Sequence, residues 1–194
     1  MFIIFISFIF FIILNELSFY DLKTFNILNF FTKRNAFATL NKKIHYPMID
    51  VLSKHISKNE TINILEIGAG NGISTFNFIN KLDEYKYNYT YIVNEYYSLY
   101  KNDLLKIVNE DNILIMPFED IHNYTLKRFD VILLTAVSAI NETNIIDLRK
   151  VINSDTKIVT ICPYIFTHLL KKYFTVVEVA SCTNILGIFI LFFL

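Results

Sequence analysis

The residues whose types and spacing could do chemistry begin with the run Glu66-Ile67-Gly68-Ala69-Gly70-Asn71-Gly72. The chain has four glycines, and three of them stand here at alternate positions. Glycine permits φ > 0 and removes the side chains that would keep a ligand away from the backbone. A helix starting at Ile73 would turn the N–H groups of its first turn toward whatever sits in the bend. A cofactor is the natural occupant, and the spacing narrows which one. The dinucleotide pattern G-x-G-x-x-G needs a third glycine at position 73, where Ile73 stands. The second chemical feature is Glu95, which follows the apolar run Tyr89–Val93. Its distance beyond Gly72 is near the roughly 20 residues at which such sites place an acid. A carboxylate at the end of a second strand can accept from both hydroxyls of a ribose.

These groups need a strand, a turn and a helix to hold them. Ile62, Ile64, Leu65 and Ile67 read as a buried strand that ends at the glycines. Ile73, Phe76, Ile79 and Leu82 then recur at helical spacing and predict one apolar helix face. Upstream, Pro47 suits a first helical turn, and Met48, Ile49, Leu52 and Ile56 predict an amphipathic helix with His55 in its last turn. Downstream, a polar connection at 81–88 leads to the second strand. Tyr100, Leu104, Ile107 and Val108 predict a helix, and 113–116 a third strand. The fourth strand is 129–134. A helix on Ile145, Leu148 and Ile152, a fifth strand at 157–161 and a helix on Phe166, Leu169, Leu170 and Tyr173 follow. Two consecutive strands, 175–179 and 185–193, end the chain as a hairpin. Alternation of this kind specifies a doubly wound, mostly parallel sheet with helices on both faces, and the C-terminal hairpin inserts an antiparallel strand.

The pattern E-x-G-x-G-x-G closing a hydrophobic strand resembles the first motif of the class I S-adenosylmethionine-dependent methyltransferases. Glu95 is similar to the family's ribose-binding acid, and Phe129-Asp130 followed by apolar residues resembles its fourth motif. The likeness runs over about residues 47–194 and, outside these three motifs, is one of topology. It implies a seven-stranded Rossmann-like sheet and S-adenosyl-L-methionine as cofactor. It further implies that Glu66, Gly68, Ala69, Gly70 and Gly72 form the cofactor loop and that Glu95 binds the ribose. Family members often carry an Asp near the adenine soon after the third strand, and this chain has Met116-Pro117-Phe118-Glu119-Asp120 there. Phe118 is therefore expected to stack on the adenine, and Glu119 or Asp120 to accept from its amine. Asp120 is open to a second role, capping the helix after it. The Asn-Pro-Pro-Tyr of many base and glutamine amino-methylating enzymes is absent. Thr135 and Ser138, just past the fourth strand, are the catalytic candidates by position. His45, Tyr46 and His122 qualify only through nearness to predicted loops.

Composition sets the limits. The 194 residues suit one domain with ample core, since 54% are hydrophobic. Eighteen basic and eighteen acidic side chains cancel, so no broad nucleic-acid footprint is visible. Cys162 and Cys182 are the only cysteines and lack metal-ligand spacing, so no metal site and no disulfide framework are expected. Residues 1–14 are almost wholly Ile, Phe and Leu; as a helix they would reach about 21 Å, short of the ~30 Å hydrocarbon core. The segment 1–20 is open to three readings: a signal anchor contacting a membrane, a helix packed on the domain, or an apolar extension with no role. The lysines and arginine that follow would leave the rest of the chain cytoplasmic. Residues 21–46 form a lead-in to the domain at 47–194.

The expected reaction is in-line methyl transfer to an acceptor, whether small molecule, protein or RNA, that the sequence does not identify. Two alternatives stay beside it. One is a catalytically inactive methyltransferase-like scaffold, motivated by the altered adenine region and the apolar N-terminus. The other is a dinucleotide oxidoreductase, disfavoured by Ile73 and the terminal hairpin.

Overall fold

The computed structural model describes residues 45–124, 129–134, 146, 148, 151–152, 154–163, 167–181 and 186–193. All of them belong to one compact unit, Leu40–Leu194. The expectations for residues 1–20 and for most of the lead-in, and those for Thr135 and Ser138, lie outside the described residues.

Helix α1 (45–52) precedes β1 (Thr61–Ile67). Then come α2 (Ile73–Glu84), β2 (Asn88–Glu95), a 3-10 turn at Ser98–Tyr100, α3 (Lys101–Leu104) and β3 (Ile113–Ile115). A second 3-10 turn (Phe118–Asp120) leads into α4 (Ile121–Tyr124) and β4 (Val131–Leu134). Ile146 and Leu148 are helical. β5 (Lys157–Pro163), α5 (Thr167–Tyr173), β6 (Phe174–Ser181) and β7 (Leu186–Phe193) complete the order.

The sheet has seven strands in the order β3-β2-β1-β4-β5-β7-β6. Strands β1 to β5 pair in parallel, and β7 runs antiparallel to both β5 and β6. The doubly wound sheet and the inserted hairpin strand are therefore as the alternation of elements predicts. From β1 the chain winds outward through β2 and β3, then crosses back to β4. The carboxyl ends of β1 and its neighbours thus form the switch point where open α/β sheets bind ligands.

Alternation along the strands divides the core. Ile62 and Ile64 join Tyr91, Val93, Val131, Leu133 and Val159 under α1 and α2, against Met48, Leu52, Phe78 and Leu82. Leu65 and Ile67 join Ile92, Leu114, Ile132, Leu134 and Ile158 on the other face, with Ile121, Leu148 and Leu170. Every second residue of a strand shares a face, so Glu66 falls on the α1/α2 side.

The face of α2 differs from the sequence expectation. Phe76 is 51% exposed, while Ser74, Thr75, Asn77, Phe78 and Leu82 are the buried residues. The apolar period alone turns the helix wrongly, because three of its sheet-facing side chains are polar and satisfied. Ser74 and Thr75 donate to Glu66, and Asn77 donates to Nδ1 of His45. Gly72, held at φ 83, fixes the phase.

The expected polar connection at 81–88 is also revised. Helix α2 continues to Glu84, and Tyr85, Tyr87, Tyr89 and Tyr91 stand at alternate positions beyond it. Their hydroxyls donate to Asp50, to the Ser53 carbonyl at 3.3 Å, to Asp83 at 2.7 Å and to Glu66 at 2.9 Å. This tyrosine seam fastens α1 and α2 to the sheet. The helix expected on Tyr100–Val108 is shorter: only Lys101–Leu104 is α-helical. His55 lies in the turn after α1 rather than in its last turn. Among the described residues no helix is long and apolar enough to cross a membrane.

Candidate functional site

The site starts where β1 runs out. Gly68, Gly70 and Gly72 have φ of 79, 57 and 83, a region that L side chains avoid. The last two glycines have different tasks. A Cβ on Gly72 would come within 2.5 Å of Ile107 Cδ1 and 3.2 Å of Leu104 Cδ2, so this glycine lets the segment after β2 pack against the start of α2. A Cβ on Gly70 would meet nothing within 4 Å. Gly70 faces open space, as a cradle for a ligand requires.

The amides of the turn itself go to acceptors within the protein. Gly68 and Ala69 both donate to the carbonyl of Asn94, at 2.9 and 3.1 Å. Gly70 donates to Oε2 of Glu95 at 2.7 Å, and Gly72 to the carbonyl of Ala69 at 3.0 Å. Four main-chain donors are thus committed inside the protein. A pyrophosphate needs such donors, so their commitment disfavours a dinucleotide at this turn.

Glu95 ends β2 beside the turn, 5% exposed. Its Oε2 takes the Gly70 N–H and its Oε1 takes the N–H of Tyr97 at 2.9 Å. Each carboxylate oxygen keeps acceptor capacity beyond one bond, so a vicinal diol can still donate to both. Register explains how the two meet: β1 and β2 pair in parallel with Ile67 opposite Asn94, which brings the next residues of both strands together.

Glu66 is placed elsewhere. Fully buried, it accepts from Ser74 at 2.5 Å, Thr75 at 2.7 Å and Tyr91 at 2.9 Å. Its carboxylate lies between β1 and the first turn of α2, where it ties the helix start to the strand. Burial first, and then the Glu66 charge, push the Tyr91 hydroxyl well above its ordinary range. Tyr91 therefore stays a donor.

Beyond β3, Phe118, Glu119 and Asp120 form the 3-10 turn, with Glu119 and Asp120 exposed. The Phe118 ring lies outside the described residues. The Asp120 N–H bonds the Pro117 carbonyl at 3.1 Å, and Nδ1 of His122 bonds the Glu119 carbonyl at 2.6 Å. His122 thus closes its own turn. His45 is buried against Phe78 of α2 with ring centroids 5.0 Å apart. Burial lowers its pKa to about 4, which leaves a neutral ring in the core. Asp130, of the Phe-Asp motif, accepts from the Asn63 N–H at 2.8 Å at the amino end of β1, opposite the site. Among the described residues no His/Cys/Asp/Glu group could hold a metal ion.

Sequence reasoning passed over two features. Tyr97 and Tyr100 flank Glu95, and burial, followed by the Glu95 charge, raises both hydroxyls above their usual range. The clue was three tyrosines within the few residues after Glu95. The other is Asn94, whose carbonyl takes two turn amides and whose side chain holds the next strand.

No protein-family model matches the chain. No curated protein matches it either. Solved structures do. Mitomycin 7-O-methyltransferase MmcR aligns over 93% of this chain and 60% of its own, with TM-score 0.59 and 14% identity. Human methyltransferase-like protein 13 in complex with SAH aligns over 77% of this chain and 82% of its own, with TM-score 0.59 and 11% identity. A SAM-dependent methyltransferase from Aquifex aeolicus aligns over 76% and 89%, with TM-score 0.56 and 14% identity. The chain thus spans only part of the first of these enzymes. At such identities the likeness is one of fold. Together with the strand order and the turn, it shows that the chain has the fold of the class I S-adenosylmethionine-dependent methyltransferases, with no subfamily distinguished.

Proposed function

We propose that the protein binds S-adenosyl-L-methionine at the glycine turn and transfers its methyl group to an acceptor. The observation that carries this is the pairing of Gly70 with Glu95: a cradle with room for a ligand lies beside a buried carboxylate that can still accept from a diol. The committed turn amides favour a cofactor without a pyrophosphate. When bound, this cofactor supplies a methyl group already activated on a sulfonium, so the protein's task is to hold the acceptor in line. Orientation of that kind is worth roughly 7–11 kcal/mol.

In this reading Glu95 takes the ribose hydroxyls, and Gly68, Ala69 and Gly70 supply the bare backbone surface along the amino-acid portion. Gly72 holds the helix start in place. The turn at Phe118–Asp120 is the adenine end, where Glu119 and Asp120 are the candidate acceptors. Thr135 and Ser138 are the positional candidates beside the acceptor.

Calorimetric titration of the folded protein with S-adenosyl-L-methionine and with S-adenosylhomocysteine tests the proposal. Saturable binding of both is expected. No heat at millimolar cofactor, in protein with a cooperative melt, overturns it.

A further inference from the structure

Asn94 is nearly fully buried at the end of β2, between two segments of the site. On one side its carbonyl accepts the N–H groups of Gly68 at 2.9 Å and Ala69 at 3.1 Å. On the other its Nδ2 donates to the carbonyls of Leu114 at 3.2 Å and Met116 at 2.8 Å. The chemistry fixes the amide's orientation, because both partners are acceptors and only the NH₂ group can serve two acceptors at once. The next residue reinforces the contact: the Met116 N–H donates to the carbonyl of Glu95 at 3.1 Å.

The arrangement answers a local weakness. β3 is an edge strand with three paired residues, Ile113 to Ile115, and Met116-Pro117 leaves it for the Phe118–Asp120 turn. A ladder so short gives little control over where the following turn sits. The Asn94 amide adds two bonds, one of them past the last paired residue of β3. A hydrophobic side chain here would pack as well, yet it would leave the Leu114 and Met116 carbonyls without this donor.

We propose that Asn94 is a positioning residue for nucleobase recognition: by joining the glycine turn to Leu114 and Met116, it sets the distance between the ribose carboxylate Glu95 and the adenine-reading turn Phe118–Asp120. The inference rests on the cofactor reading above. Asn94 touches no part of the ligand itself; it acts through the backbone on both sides.

The test compares S-adenosylhomocysteine with S-inosylhomocysteine, which carries an oxo group where adenine carries its amine. Both bind through the same ribose, so their affinity ratio reports only how well the base edge is placed. Asn94→Asp keeps the shape and removes both donors, and Asn94→Ala removes the side chain. Each is expected to lower the adenosyl-over-inosyl ratio about tenfold, the loss of roughly one well-placed hydrogen bond. Thr156→Val is the control. Thr156 also bonds a carbonyl, that of Phe129 at 2.8 Å, but at the amino end of the sheet. It should lower the melting temperature and leave the ratio unchanged.

A ratio unchanged in both Asn94 variants, in protein that still binds S-adenosylhomocysteine, overturns the role of Asn94 and spares the cofactor reading. Failure of the unsubstituted protein to bind either nucleoside overturns the cofactor reading and this inference with it. Should neither variant fold, amide hydrogen exchange on the unsubstituted protein decides. S-adenosylhomocysteine should then protect Gly68, Ala69 and Met116 together, and protection of the turn alone rejects the coupling.

Discussion

The N–H of Gly70 donates to Oε2 of Glu95 across 2.7 Å, joining two residues separated by 25 positions in the chain. The bond orients the carboxylate at the mouth of the turn before any ligand arrives. A buried carboxylate without partners is costly, and this bond supplies one and holds Glu95 in place.

Glu95→Ala removes the acceptor of that N–H and of the proposed diol. Hydrogen bonds to a charged group contribute about 1.5–3 kcal/mol, so the dissociation constant for S-adenosylhomocysteine should rise by about 10- to 100-fold. Glu95→Gln, which keeps one acceptor, should fall between. Calorimetry reads both.

The two glycines at the helix start should separate cleanly. Gly70→Ala places a methyl in open space and bears only the left-handed backbone cost of about 1–2 kcal/mol. Gly72→Ala adds a clash at 2.5 Å with Ile107 and should cost about 2–4 kcal/mol. Gly70→Arg should melt near Gly70→Ala and lose cofactor binding. Urea unfolding and calorimetry on the three variants check this.

Stability should depend on pH through His45. Its folded pKa is lowered from 6.5 to about 4 by burial. Between those values the unfolded chain binds the extra proton, so this contribution is complete above about pH 6.5 and is lost as pH falls toward 4. The shift corresponds to about 3 kcal/mol. The drop in urea stability between pH 7 and pH 4.5 should be smaller in His45→Phe than in the unsubstituted protein.

The Glu66 cage gives a prediction about folding alone. Tyr91→Phe removes a donor to a fully buried carboxylate and should destabilise by about 1–3 kcal/mol. Glu66→Leu leaves the Ser74, Thr75 and Tyr91 hydroxyls without this acceptor and should cost more. The denaturation midpoint should move with an unchanged slope.

The amino-acid sequence by itself determined the alternation of strands and helices, the terminal hairpin, the place of the turn and the acid at the end of the second strand. Each of these is written in neighbouring residues, as apolar periods of two or of 3.6, or as glycines at a fixed spacing. Tertiary structure alone decided the rest. Periodicity put Phe76 on the inner face of α2, yet Ser74, Thr75 and Asn77 lie there because Glu66 on β1 and His45 on α1 accept or share their hydrogen bonds. The Asn94 carbonyl and Glu95 hold the amides of Gly68, Ala69 and Gly70, which only the register of β1 on β2 could reveal. Tyr85 and Tyr87 looked like part of a polar connection and Tyr89 and Tyr91 like part of a strand, and their hydroxyl partners make the four a seam. A polar side chain's role depends on the partner that the fold brings within 3 Å of it, and no local pattern encodes that partner.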